Sequence, residues 1–261
     1  MDIRKVIAIY FSPNGSTKKI VNKVAGDIGS YTVEEIDLTL VESRNKKRKF
    51  GKDELVVIGF PVYADRLPTV CNEIFKNIEG NNTPTIAIVS YGNRDYGDAL
   101  LELTEGLKKS NMKVISGAAI IGQHCLNNNV ATNRPDKGDN VKILEYVNKI
   151  KDKINNIGQI EEIEDITVKG NYPYKPLKSQ GAPLGDSKCI QCGLCERKCP
   201  VNAIDKKDCR QTDSNKCISC GACINVCPTN ARDIREESFK NLMKKLEVIA
   251  KERREIEIFI R

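Results

Sequence analysis

Nine of the chain's eleven cysteines fall between Cys189 and Cys227, and their spacing is the strongest constraint in the sequence. Cys189-x2-Cys192-x2-Cys195-x3-Cys199-Pro200 recurs as Cys217-x2-Cys220-x2-Cys223-x3-Cys227-Pro228. What such a repeat does depends on the redox compartment. The N-terminal stretch MDIRKVIAIYFSPNG has a short apolar run but lacks the cleavage-site pattern of a signal peptide. No apolar run approaches the roughly eighteen residues of a membrane span. The expectation is a cytoplasmic protein, where thiols stay reduced and clustered cysteines serve as metal ligands rather than disulfides. Four-cysteine zinc sites are the alternative, but they usually show two CxxC knuckles separated by a longer insert. The single histidine also argues against zinc or copper sites that need several imidazoles.

The two runs resemble the two-cluster bacterial ferredoxin pattern. Three cysteines at two-residue gaps wrap three corners of a [4Fe–4S] cube, and the fourth ligates the other cluster. On that rule Cys189, Cys192, Cys195 and Cys227 hold one cluster, and Cys217, Cys220, Cys223 and Cys199 hold the second. Thiolates match soft iron, and the small residues Gly193, Gly221 and Ala222 let backbone N–H groups approach the cluster sulfurs. Cys71, Cys125 and Cys209 fall outside the pattern. Free cysteine is often just a small buried hydrophobe.

Of the 261 residues, 40% are hydrophobic and 30% charged, ordinary values for a chain that buries a core. Lys5–Phe11, Leu55–Phe60, Thr85–Tyr91 and Val114–Ile121 are apolar runs rich in β-branched residues, which suits strands buried on both faces of a parallel sheet. Tyr31–Leu38 alternates more and reads as an edge strand. Helical patterns start near Ser16, Pro68, Tyr96 and Pro135; the last carries Ile143, Val147, Ile150 and Ile154 at helical spacing. Strand–helix alternation predicts an open α/β fold with a parallel five-stranded sheet over residues 1–157. A linker dense in proline and glycine follows over 158–186, then a small α+β ferredoxin domain over 187–235. Phe239, Leu242, Leu246 and Ile249 share one helical face, so 236–261 is expected to form a docked C-terminal helix. A membrane-surface helix fits less well, because acidic and basic residues mix on the polar face.

After the first strand comes Ser12-Pro-Asn-Gly-Ser-Thr17, followed by a helical pattern. Small hydroxyl residues and a glycine at a helix start form a nest of N–H donors suited to a phosphate. The loop is neither a Walker A motif nor G-x-G-x-x-G. FMN at the switch point of a flavodoxin-like sheet fits better. That loop, Gly59-Phe-Pro-Val-Tyr-Ala-Asp-Arg-Leu-Pro68 and Ser90-Tyr-Gly-Asn-Arg-Asp-Tyr-Gly97 resemble the three FMN-contacting loops of flavodoxins. With Gly170-Asn-Tyr-Pro-Tyr174 and the double cysteine run, the chain resembles the flavodoxin–ferredoxin fusion family of anaerobic bacteria. The resemblance implies that Ser12, Asn14, Gly15, Ser16 and Thr17 cradle the FMN phosphate. It implies one isoalloxazine wall from Pro61, Val62 and Tyr63, and the other from Tyr91, Gly92, Asn93 and Tyr96. Asn14 stands where flavodoxin phosphate loops often carry threonine.

The implied function is electron transfer between two [4Fe–4S] clusters and FMN, and to or from a redox partner protein or a small-molecule electron acceptor. The rival is an FMN-dependent reductase of a quinone, nitro compound or similar molecule, fed by its own ferredoxin domain. His124, in GQHCLNNN after the fifth strand, is the candidate proton source; a backbone-satisfied loop histidine is the alternative. The Asn45–Lys49 run reads as a solvated loop first and a docking patch for an acidic partner second. No recognition helix or basic stretch interleaved with aromatics supports nucleic-acid binding. The formal charge of +7 is largely offset by the expected cofactors, with about −4 from two thiolate-ligated cubes and about −2 from the FMN phosphate.

Overall fold

The computed structural model describes residues 2–177 and 181–261. Residue 1 of the expected first domain and residues 178–180 of the expected linker lie outside the described residues. The five expected strands are β1 (Lys5–Tyr10), β2 (Val33–Asp37), β3 (Glu54–Pro61), β4 (Thr83–Tyr91) and β5 (Met112–Ile121). They pair in the order β5-β4-β3-β1-β2, parallel throughout. This is the doubly wound order in which the chain leaves β1 in one direction and β3 in the other. Every residue of β4 is buried, whereas β2 at the edge is largely exposed, as its alternating sequence implies.

Four helices cover the two faces. α1 (Ser16–Asp27) and α4 (Lys137–Asn156) bury Ile20, Val24, Ile143, Val147, Ile150 and Ile154 on one side. α2 (Cys71–Asn77) and α3 (Ala99–Lys109) bury Ile74, Leu100, Leu103 and Leu107 on the other. The start of α4 is set by a reciprocal capping box: the Asp136 carboxylate accepts from the Asp139 N–H, and Asp139 accepts from the Asp136 N–H. Cys71 is one of the small buried hydrophobes of this core, and burial holds its thiol well above the usual range.

The C-terminal segment departs from expectation. Helix α5 (Glu237–Ile249) ends twelve residues before Arg261, and β6 (Glu257–Ile260) adds antiparallel to the open edge of β5. The physical reason lies in the intervening Lys251-Glu-Arg-Arg-Glu255, which has no apolar residue to continue the buried helical face. The Glu257-Ile-Phe-Ile260 tetrapeptide then suits an extended edge strand. The sheet is therefore six-stranded and mostly parallel. Part of the expected linker is packed rather than free: Ile160 and Ile166 are buried, one in each core.

The cysteine-rich part repeats itself in three dimensions. Gly193 at φ 73° opens the helical turn Leu194–Arg197, and Gly221 at φ 74° opens Ala222–Asn225. Both glycines occupy the left-handed region that other residues enter at a cost. Residues Leu184–Gly185 and Arg232–Asp233 form a short antiparallel pair beside them. No helix among the described residues is long and apolar enough to cross a membrane.

Candidate functional site

The loops after β1, β3, β4 and β5 converge at the carboxyl ends of the strands around a cavity of about 540 Å³. That size lies within the range of small-molecule and cofactor pockets. Ser12, Asn14, Ser16 and Thr17 line it at the α1 end, and Pro61, Val62, Tyr63, Tyr91 and Gly92 line it further along. Gly15 does not line the cavity; at φ 83° it turns the chain into α1. The loop is held from behind. Ser12 N–H donates to Thr39 Oγ1 at 3.0 Å, Ser12 Oγ accepts from Lys18 N–H at 3.0 Å, and Thr17 Oγ1 and Ser90 Oγ share a buried hydrogen bond of 2.7 Å. The first turn of α1 thus presents N–H groups not used within the helix at one end of a largely apolar slot. An anionic tail and a flat apolar body would each find a matching surface there.

Two expected wall residues do something else. Asn93, only 4% exposed at φ 58°, donates from Nδ2 to the Ala250 and Glu252 carbonyls, both at 2.8 Å. Its Oδ1 accepts from Arg254 N–H at 3.0 Å. Tyr96 is buried edge-on against Tyr91 and donates to Glu257 Oε2 at 2.9 Å. Both therefore fasten the C-terminal segment instead of lining the cavity. Fastened in this way, α5 forms a roof: Leu242, Met243, Leu246 and Ile249 line the cavity from above. The helical face was legible in the sequence; its target was not. A second clamp acts below, where buried Asp139 receives Arg134 and Arg253, and Arg134 also donates to the Arg254 carbonyl at 3.0 Å.

Lys175 and Pro176, from the segment expected to be a linker, close another side. They are positioned because the buried Asp98 carboxylate accepts from the Asn171 and Lys175 N–H groups, both at 2.9 Å. Those bonds outweigh the desolvation of Asp98 and hold its carboxyl below the usual range. The ring of Tyr174 lies under the Arg66 guanidinium at 4.8 Å.

His124 lines the cavity, and any Cβ at Gly92 would sit 2.5 Å from its ring, so that glycine is there to let the imidazole in. Burial, reinforced by Arg94, pushes the imidazole down to about 4. It is therefore neutral near pH 7. Its Nδ1 accepts from the Leu126 N–H at 3.2 Å, which places the proton on Nε2. A neutral hydrogen-bond donor results, its Nδ1 satisfied by backbone.

The cysteine-rich part seats directly on this cavity. Asn14 Nδ2 donates to the Cys220 carbonyl at 2.6 Å, and Asn225 Nδ2 donates to Asn14 Oδ1 at 2.7 Å. Ser219 joins the lining, and Cys125 is the loop residue against which Gly221 packs. Farther along, buried Arg44 donates to the Pro200 carbonyl at 2.8 Å. Sequence reasoning passed over Arg44, one residue before the basic run it singled out.

Among the eight run cysteines, Cys189, Cys192, Cys195 and Cys227 line one small cavity, with Cys209 and Arg232 beside them. Cys199 lies close enough to Cys217, Cys220 and Cys223 to raise their thiols electrostatically, in addition to the larger effect of burial. The first three cysteines of the first run and the fourth of the second thus share one cavity, and Cys199 lies near the first three cysteines of the second run. Both fourth cysteines accept an N–H from the residue four positions on: Ala203 to Cys199 Sγ at 3.2 Å and Ala231 to Cys227 Sγ at 3.3 Å. Cysteine sulfurs at this spacing, with backbone N–H donors already aimed at Cys199 and Cys227, form a donor set that suits soft cationic iron.

Residues 188–231 match the family model described as a 4Fe-4S dicluster domain. Comparison with curated proteins gave no match. Among solved structures, the chain is similar to a flavodoxin from the domain Archaea (17% identity, TM-score 0.40, covering 58% of this chain and 99% of that one). It is also similar to two-electron reduced Megasphaera elsdenii flavodoxin (19%, TM-score 0.37, 54% and 96%) and to oxidised Flavodoxin 2 from Bacillus cereus (15%, TM-score 0.42, 57% and 99%). Strand order, not these scores, makes the first domain flavodoxin-like. The chain joins an open α/β domain of flavodoxin-like strand order to a 4Fe-4S dicluster domain.

Proposed function

We propose that this is an electron-transfer protein that holds FMN in the roofed cavity and two [4Fe–4S] clusters on its eight run cysteines. Cys189, Cys192, Cys195 and Cys227 would hold one cluster, and Cys217, Cys220, Cys223 and Cys199 the other. When bound, clusters supply one-electron chemistry and a flavin supplies one- or two-electron chemistry. The chain's own residues do the rest. Asn14, Ser16 and Thr17 offer donors for a phosphate, while Val62, Tyr63 and Tyr91 offer apolar and aromatic walls for a ring.

The observation that carries this reading is the contact of Cys220 and Gly221 with residues of the cavity wall, Asn14 donating to the Cys220 carbonyl and Gly221 packing on Cys125 and Leu126. One residue of the expected phosphate cradle thereby also touches a ligand residue of the second cysteine set. At the other set, Cys192 is exposed and Ile190 is 65% exposed, an open face for an external redox partner. The order this supports is partner, first set, second set, flavin, with direction set by the potentials. The roof of α5 and the Lys175–Pro176 segment favour a carrier over a reductase of small molecules, because they cover the cavity that a substrate would enter.

The test is anaerobic reconstitution followed by metal and flavin analysis. About eight iron atoms per chain and equimolar FMN are expected, with flavin reduction following cluster reduction in a single turnover. Stoichiometric zinc without a brown chromophore would overturn the cluster assignment. Flavin reduction at the same rate in iron-free protein would overturn the path.

A further inference from the structure

The guanidinium of Arg232 sits where no carboxylate answers it. The residue is 2% exposed, and none of its hydrogen-bond partners among the described residues is a carboxylate. Its Nη2 donates to the Pro183 carbonyl at 2.6 Å and to Thr212 Oγ1, and its Nη1 donates to the Cys209 carbonyl. All three acceptors are neutral. Its Nε is buried and has no partner at all. Burying a cation costs several kcal/mol unless an anion or a full set of acceptors compensates.

The groups that face it are cysteines from both sets. Nη1 lies 4.0 Å from Cys195 Sγ, and Arg232 lines the cavity shared by Cys189, Cys192, Cys195 and Cys227. From the second set, Arg232 lies within hydrogen-bond reach of Cys223. An uncompensated guanidinium with one idle donor, between two sets of sulfur ligands, is intelligible if the missing anion is the sulfur itself. Arginine suits the position, because its charge persists at every relevant pH and its planar fork fills several acceptors at once.

We propose that Arg232 is the counter-charge shared by the two clusters and that it holds both reduction potentials up. The proposal rests on the two-cluster reading above. Adding an electron to either cluster increases its negative charge, and a fixed buried cation beside both favours that addition. It also gives the pair a reason to respond together to one substitution.

The experiment is an anaerobic redox titration followed by electron paramagnetic resonance, with iron content measured on each sample, for wild type, Arg232→Gln and Arg232→Lys. Arg232→Gln is expected to lower both potentials by at least tenfold in the one-electron equilibrium, about 59 mV. Arg232→Lys keeps the charge and is expected to retain most of the wild-type value. If Arg232→Gln fails to assemble clusters while Arg232→Lys assembles them, the charge requirement stands. The proposal falls if Arg232→Gln loads iron with unchanged potentials, if Lys behaves as Gln does, or if neither variant loads. Wild-type protein without eight irons would instead sink the two-cluster reading, so the two failures are distinguishable.

Discussion

Gly221 and Gly193 occupy equivalent places in the two cysteine runs, at φ 74° and 73°, yet only one of them touches the α/β domain. An alanine at either position enters the left-handed region at about 1–2 kcal/mol. At Gly193 the new Cβ would meet only the flexible end of Arg197. At Gly221 it would lie 2.7 Å from the Cys125 carbonyl oxygen and 2.7 Å from Leu126 Cδ2, against 3.4 Å for ordinary contact. The cysteine-rich part must then back away by about the difference, which stretches the Asn14–Cys220 bond from 2.6 Å and breaks the 3.3 Å contact of Asn225 with the Cys125 carbonyl. Weakening those bonds costs roughly 1–3 kcal/mol beyond the strain common to both variants. Where docking limits transfer, 1.4 kcal/mol is tenfold in rate. The assay is stopped-flow: clusters reduced rapidly, flavin absorbance followed. Gly221→Ala should slow flavin reduction about tenfold or more relative to Gly193→Ala, with iron and FMN contents equal in the two. Equal rates in the paired variants would refute the claim that this joint carries the electrons.

Three further outcomes follow from the same geometry. Gly15→Asp places a carboxylate at φ 83° in the expected phosphate cradle and should abolish FMN retention while iron content is unchanged; undiminished flavin would remove the cradle assignment. Cys192→Ala should lose about half the iron, since only one of two four-iron sites is touched, with FMN retained; loss of FMN alone would contradict the separation of the sites. His124 is neutral when folded and has its imidazole pushed down to about 4, so below pH 6.5 the unfolded chain binds a proton that the folded chain refuses. Stability should therefore fall as pH drops from 6.5 through 4, by up to about 3 kcal/mol for this group, and His124→Gln should flatten that slope in urea titrations; an unchanged slope would place the loss elsewhere.

What could be read from the sequence was what is local in the chain. The cysteine runs declare their grouping through two- and three-residue gaps, and the Ser12–Thr17 loop declares itself by lying between an apolar run and a helical one. β1, β3, β4 and β5 were legible because strands buried on both faces leave unbroken apolar runs. What the sequence leaves open is of one kind. Asn93 and Tyr96 were placed on the loop that reaches the cavity, but their partners, Ala250, Glu252, Arg254 and Glu257, lie more than 150 residues away. Nothing in a loop's composition says whether its polar groups face a ligand or a returning chain. Glu257–Ile260 carried a usable signal, a β-branched and aromatic tetrapeptide after a charged break, but four residues are too few to outvote the helical pattern before them. Arg232 carried none, because its interest lies in what fails to surround it.

The strand Glu257–Ile260 covers the outer edge of β5, an edge that would otherwise offer unpaired backbone groups to another chain. The same short stretch of sequence ties that strand to the roof helix, through the residues that Asn93, Arg134 and Asp139 hold. Lifting the helix therefore pulls on the strand. An opening of the roof wide enough to admit a ligand would also bare that sheet edge.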